Sequence, residues 1–211
     1  MTPPDWIHPI PGLRRDANHR YWLRDHLFPI STTGVLAHGK SAYAMERIEA
    51  TRNDWEARGT LTHRALELHI TQPGWRPDHD RETFGPWFEW IAPLLAHPIW
   101  SQVTPIASEM QLCSLDLNLA GTFDGAFVTS NGRRILFDLK TQKRSGARAY
   151  CTRAQLGCYL TMAAEQGLHF DGAATIWARP GRTKLQALST DECLEAWWLA
   201  WGAYEAAHRQ F

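Results

Sequence analysis

The chain has 211 residues, of which 44% are apolar and 21% charged, which suits one domain with a real core and argues against wholesale disorder. Lysine plus arginine and aspartate plus glutamate balance at 22 each, so net charge gives no case for a nucleic-acid partner, and any basic surface must be local. No apolar run approaches the ~18 residues of a membrane span. The N-terminal stretch MTPPDWIHPIPGLRR has neither the charged nor the apolar region of a secretory signal, so none is expected. Cys113, Cys151, Cys158 and Cys193 are scattered, with no C-x-x-C pair, and read as reduced thiols of a cytoplasmic protein.

In chain order, the proline-rich first dozen residues predict an irregular surface segment. HRYWLRDHLF and GKSAYAMERIEATR read as short helical pieces separated by FPISTTGVL, giving a helical extension over 1–52. RNDWEARGTLTHRALELHITQ predicts the first long helix, with Asn53 as candidate cap and an end before Pro73-Gly74. After a loop, FGPWFEWIAPLLAH predicts an aromatic-rich helix.

The period then changes to that of a sheet. IASEMQLCSLD, LAGTFDGAFV and RRILFDLK predict three strands, the last two joined by a hairpin at Asn131-Gly132. RAYCTRAQLGCYLTMAAEQ predicts a helix stopped by Gly167, and two further strands, DGAATIWARP and KLQALS, turn at Pro180-Gly181. A last helix starts at a Ser189–Glu192 capping box and presents Leu194, Trp197, Trp198, Trp201 and Tyr204 as a core side. This order predicts a layered α/β domain around a central mixed sheet, with 53–211 as its core.

The hairpin carries two acids in apolar strands, Asp124 and Asp138, and Lys140 lies two residues after the second. Residues two apart share a strand face, so Asp138 and Lys140 project together, and Asp124 can meet them across the ladder. Clustered carboxylates repel, and a divalent cation relieves that repulsion; oxygen donors suit Mg²⁺ or Mn²⁺. Such a metal can activate water for phosphodiester hydrolysis, with Lys140 holding the water or neutralising charge at phosphorus. Spacing alone equally allows a surface hairpin whose charges pair in solvent.

Other residues bear on that choice. Gly59, His63 and Glu67 share one face of the first long helix, the glycine permitting close approach of another backbone and His63 offering a ring nitrogen to a metal. A lone helix histidine is more often structural or exposed. Glu109 is another acid in an apolar strand, and reads equally as an edge charge. Lys140, Lys143, Arg144, Arg148 and Arg153 form an acid-free basic stretch, followed by Gln155 and Tyr159 on one helix face. Together they suggest a rim that tracks phosphates.

These residues resemble the RecB-type branch of the PD-(D/E)XK nucleases. That pattern runs G-x-x-x-H-x-x-x-E, an acidic strand, G-x-x-D, D-x-K and Q-x-x-x-Y. Here it reads Gly59 to His63 and Glu67, Glu109, Gly121 to Asp124, Asp138-Leu139-Lys140, and Gln155 to Tyr159. Ser31-Thr32-Thr33 and the run DLKTQK are similar to segments of mitochondrial genome-maintenance exonucleases and their bacterial and phage relatives, with Gln142 departing from the pattern and Phe123 replacing the family's proline.

The resemblance implies a restriction-endonuclease-like core and a metal held by His63, Asp124, Asp138 and the Leu139 carbonyl. It makes Asp124, Asp138, Lys140 and Glu109 catalytic, with Glu67 and Glu109 available to support a second ion. It places DNA contacts at Ser31, Thr32, Thr33, Thr141, Lys143, Arg144, Gln155 and Tyr159. The cysteines do not follow the spacing of relatives with an iron–sulfur cluster, so none is expected. The implied activity is a DNA exonuclease on single-stranded ends, with material before residue 53 and segment 84–100 arching over the site. The alternatives are a structure-specific or restriction-like endonuclease and a DNA-end-binding module without catalysis.

Overall fold

A computed structural model describes residues 7–208. Half of the proline-rich opening, residues 1–6, lies outside them. The chain then forms a small antiparallel sheet from β1 (Leu13–Arg15), β2 (Tyr21–Leu23) and β3 (His26–Leu27). The helical piece expected over HRYWLRDHLF is therefore wrong, and the reason is local. The Asp16 carboxylate accepts from the backbone N–H of Asn18 and Arg20 and from the Trp22 indole, offering the backbone a turn in place of a helix. His19 and Arg24 both take positive φ, which a helix excludes.

β4 (Ile30–Ser31) leads into α1 (Thr32–His38), where only a connector was expected; the Ser31 hydroxyl caps it by accepting from Gly34 N–H. α2 (Ala42–Ala50) is capped likewise by Ser41. α3 (Arg52–Thr71) contains Asn53 inside its first turn, so Asn53 is not its cap; Thr51 precedes the helix without a side-chain cap bond. The 72–87 connection holds a short α4 (Arg81–Phe84), and α5 (Phe88–Leu95) follows.

The remaining elements match the expected order: β5 (Val103–Ser114), β6 (Leu119–Thr129), β7 (Arg134–Thr141), α6 (Arg153–Glu165), β8 (Gly172–Arg179), β9 (Arg182–Leu188) and α7 (Thr190–His208). α6 starts later than the sequence suggested, leaving 142–152 as a loop. The Ser189–Glu192 capping box forms in both directions. Trp197 and Trp201 are buried as expected, whereas Trp198 faces solvent.

The main sheet is mixed. β5 pairs antiparallel with β6 along its whole length, β7 pairs antiparallel with β6 and parallel with β8, and β9 closes the far edge. One core cluster packs the sheet against α6 and α7 through Phe123, Leu136, Leu156, Met162 and Trp197. The other packs the sheet against α3 and α5 through Leu66, Ile70, Leu94, Phe137 and Leu139. The result is an α/β/α sandwich.

A fork in the sheet places the site. β5 takes one edge of β6, so β4 and β7 must share the other; β4 pairs at Leu119 and Ala120, and β7 pairs from Gly125 onward. Residues 121–124 lie between them, on an edge that no strand among the described residues covers. Side-chain alternation also slips here, because Phe123 and Ala126, three residues apart, both belong to the cluster under α6 and α7. Glu109, across from this break in alternation, has φ 49°, while the strand register itself shifts between Pro105 and Ala107.

Candidate active site

The fork gathers the predicted residues. α3 brings His63 to the mouth of the gap, with Nδ1 3.3 Å from Asp124 Oδ1 and 3.5 Å from Glu109 Oε1. One ligand atom from each of His63, Glu109 and Asp124 lies within 4.8 Å of the others. Where the β6–β7 ladder stops, the Leu139 backbone N–H donates to Asp124 Oδ2 instead of to a strand carbonyl. The carboxylate thus replaces a missing strand partner and is fixed by it.

Asp138 is oriented differently. It is 1% exposed, and its Oδ1 accepts from Lys140 Nζ and from Gln155 Nε2, each at 2.8 Å. Oδ2 sits 2.7 Å from Nζ, so the ammonium faces both oxygens of this buried carboxylate. Gln155 also donates to the Tyr159 hydroxyl at 3.0 Å. Tyr159 is 2% exposed, and Gln155 and Tyr159, both lining the cleft, meet as a brace for Asp138. Gly121 makes room for this packing: a Cβ there would stand 2.4 Å from Thr32 Oγ1 and 3.0 Å from the Tyr159 ring. Gly59 has no such constraint, its nearest neighbour in that direction being Thr141 Oγ1 at 3.9 Å.

The charges are strongly coupled. Burial alone would lower the His63 pKa, but Asp124 and Glu109 outweigh it and push His63 up to about 10. Burial and the Asp124 charge raise Asp138 to about 6 against the pull of Lys140. Burial works against ionisation of Asp124, yet His63, Lys140 and the Leu139 N–H hold it below the usual carboxylate range. Burial likewise opposes the Lys140 ammonium, and Asp138 and Asp124 overcome it, so Lys140 remains charged at any ordinary pH. An imidazole and two converging carboxylates form a donor set that fits a divalent cation, with Asp138 beside them paired to Lys140.

Only some of the expected contacts lie on the cleft. The serine–threonine run lines it, with Ser31 capping α1 and bonding Thr33, and Thr32 buried with its hydroxyl on Cys158. Lys143 pairs with Asp54 at 2.7 Å, and neither Lys143 nor Arg144 lines the site cleft. Thr141 does line it, its hydroxyl accepting from Arg58. Glu67 pairs with Arg64 and joins no second metal-like group among the described residues. Gln142, where a phosphate contact would stand in the resembling enzymes, is 8% exposed, donates to the Arg148 carbonyl and accepts from Arg179. Segment 84–100 does not arch over the site; Phe84 and Ile91 pack under α3, and the Trp90 indole donates to the Gln142 carbonyl. The cleft, about 910 Å³, is walled instead by Arg15 and Tyr21 of the small sheet, Lys40 after α1, and Tyr150 in the loop before α6. Sequence reasoning missed all four, because only the tertiary fold brings them to the site.

The sequence pattern of the PD-(D/E)XK nuclease superfamily matches residues 40–201, most of the chain. The chain is a member of that superfamily. Its mixed sheet between helices is the arrangement expected of a restriction-endonuclease-like fold. The nuclease is also similar to a solved structure titled "Crystal structure of SSO0001", at 14% identity and a TM-score of 0.38, covering 72% of this chain and 71% of that one. A search of curated protein sequences found no match. Members of this superfamily typically use divalent metal ions, and the His63–Glu109–Asp124 group is a possible place for one in this nuclease. Among its described residues, no helix is long and apolar enough to cross a membrane.

The strained backbone of Glu109 yields a prediction. A left-handed φ costs an L-residue roughly 1–2 kcal/mol, partly offset by the ~0.5–1 kcal/mol entropic cost of glycine. Glu109→Gly should therefore relieve about 0.5–1 kcal/mol of backbone strain, offset by the lost attraction between the carboxylate and His63, while lowering cleavage at least ~10-fold. Thermal melting and a cleavage assay on the same preparation read both. A variant that melts lower would show that the carboxylate supports the fold.

Proposed function

We propose that this chain is a compact deoxyribonuclease of the RecB-type branch, a Mg²⁺- or Mn²⁺-dependent exonuclease acting on single-stranded ends, with 1–52 as an extension and 53–211 as its nuclease core. The supporting observation is the lining of the cleft. Arg15, Lys40 and Tyr150 line the same cleft as His63, Asp124 and Lys140. Basic and aromatic walls suit one phosphate backbone with splayed bases. The free thiols Cys113, Cys151, Cys158 and Cys193 fit a reducing, cytoplasmic setting.

In the proposed site, His63, Asp124, Asp138 and the Leu139 carbonyl would hold the ion, with Glu109 alongside. When bound, the ion would lower the pKa of a water and offset charge on the phosphoryl group. The protein's own part is positional. Lys140, kept cationic by its two carboxylates, donates to the attacking water or to a non-bridging phosphoryl oxygen. Asp138 holds that ammonium in place, and Gln155 and Tyr159 hold Asp138. Water attacks phosphorus, the ester P–O bond breaks, and a phosphate monoester and a hydroxyl result.

Linear and circular single-stranded DNA of the same sequence test the reading. Linear DNA should be degraded, blunt duplex cut poorly, and the circle left intact. Rapid cutting of the circle would favour a structure-specific or restriction-like endonuclease, and tight binding of ends without cleavage would favour an end-binding module.

A further inference from the structure

Tyr150 has no place in the chemistry above, yet it stands on the wall of the cleft. It is 54% exposed, unusually open for an aromatic ring set within a site. Its ring meets Trp177 edge-on, centroids 5.0 Å apart and planes at 86°. Trp177 is fully buried and its indole donates to Gln186 Oε1, so the support under Tyr150 is rigid. A perpendicular contact leaves at least one face of the Tyr150 ring open to a flat partner.

The loop that carries Tyr150 is held as well. Gln142 donates through Nε2 to the Arg148 carbonyl, two residues before Tyr150. Gln142 is itself fixed by Arg179 Nε at 2.7 Å, by the Trp90 indole on its carbonyl, and by its own N–H on the Ala178 carbonyl. A buried glutamine with four such bonds positions the loop and leaves Tyr150 little freedom to collapse onto the surface. Nearby, Lys140 lines the same cleft and its charge acts on the Tyr150 phenol.

From this geometry we infer that Tyr150 is a base-stacking residue, receiving the nucleobase next to the phosphate that Lys140 addresses. The inference rests on the nuclease reading above and deepens it. A base stacked on a side chain has left its neighbour in the strand, so this contact rewards single-stranded over paired substrate. Stacking on an aromatic ring is worth about 1–3 kcal/mol per base, or roughly 5- to 150-fold in affinity.

The test is binding of short single-stranded oligonucleotides by the full chain in EDTA, where no cleavage occurs, with an abasic position walked along the strand. Tyr150→Leu should weaken binding roughly 5- to 150-fold and Tyr150→Phe less than about threefold, with melting temperatures unchanged. One abasic position should weaken the unsubstituted protein by the same factor as Tyr150→Leu, and cost Tyr150→Leu nothing further. If Tyr150→Phe is as damaging as Tyr150→Leu, or no abasic position couples to it, stacking is refuted while the nuclease reading stands. If the unsubstituted protein neither binds nor, with Mg²⁺ restored, cleaves DNA, both fall together.

Discussion

Asp138→Asn should reduce cleavage by at least ~10³-fold, the scale of removing a preorganised charge that acts on the transition state, while DNA binding persists. The amide oxygen can still accept from Lys140 and Gln155, as Oδ1 does now, so the fold around the site should hold. At the other position an amide nitrogen would face the Lys140 ammonium across the present 2.7 Å, donor against donor, and push it away. The single substitution therefore removes a proposed anionic ligand and displaces the proposed cationic partner of the phosphoryl group. Single-turnover cleavage and filter binding on one substrate separate the two effects. An Asp138→Asn enzyme with near-normal turnover would sink the assignment.

Metal affinity should be steeply dependent on pH, because of His63. In the metal-free protein its pKa lies at about 10, and a histidine ligand must be deprotonated to bind. Near pH 7 the protonated form dominates, lowering apparent affinity by about 10³-fold, three pH units of mass action. Affinity should then rise about tenfold per pH unit between 7 and 9, with close to one proton released per ion. The stability of the metal-free fold should move the other way. The raised His63 pKa contributes stability that is complete below 6.5 and lost as pH rises through about 10. Calorimetry of Mn²⁺ binding in two buffers of different ionisation enthalpy measures the proton count. Zero protons released at pH 7, or a His63→Ala variant with the same affinity and slope, would remove His63 from the ligand set.

Most of the core was legible because its signals are local. The strand-forming runs LAGTFDGAFV and RRILFDLK, the Asn131-Gly132 turn and the Ser189–Glu192 box each act within a few residues, and each formed. The small N-terminal sheet was not legible, since HRYWLRDHLF carries a helix-compatible pattern and is overruled by the Asp16 side chain and two positive-φ residues. In the site, motif spacing brought out His63, Asp124, Asp138 and Lys140. Motif spacing is silent, however, on which carboxylate converges with His63, because that depends on the slip in β6 and the left-handed turn at Glu109. The same limit explains Gln155 and Tyr159. Their spacing marks them as partners, but only the fold reveals that Gln155 holds Asp138 and that Tyr159, itself buried, meets Gln155.

The order in which the chain is made bears on safety inside a cell. α6 carries Gln155 and Tyr159, and it is seated by α7: at Gly157 a Cβ would stand 2.0 Å from the Cys193 carbonyl, and Trp197 packs against the same turn. α7 follows every site residue in the sequence, and β8, which flanks β7, also comes after them. The pairing that aligns Asp138 and Lys140 is therefore long-range and parallel, the slow class of contact in folding. A growing polypeptide emerging from the ribosome has all its acids and its lysine exposed well before it has the frame that aligns them. The nascent chain should be inert toward nucleic acid, ribosomal RNA included, until synthesis has passed Trp197.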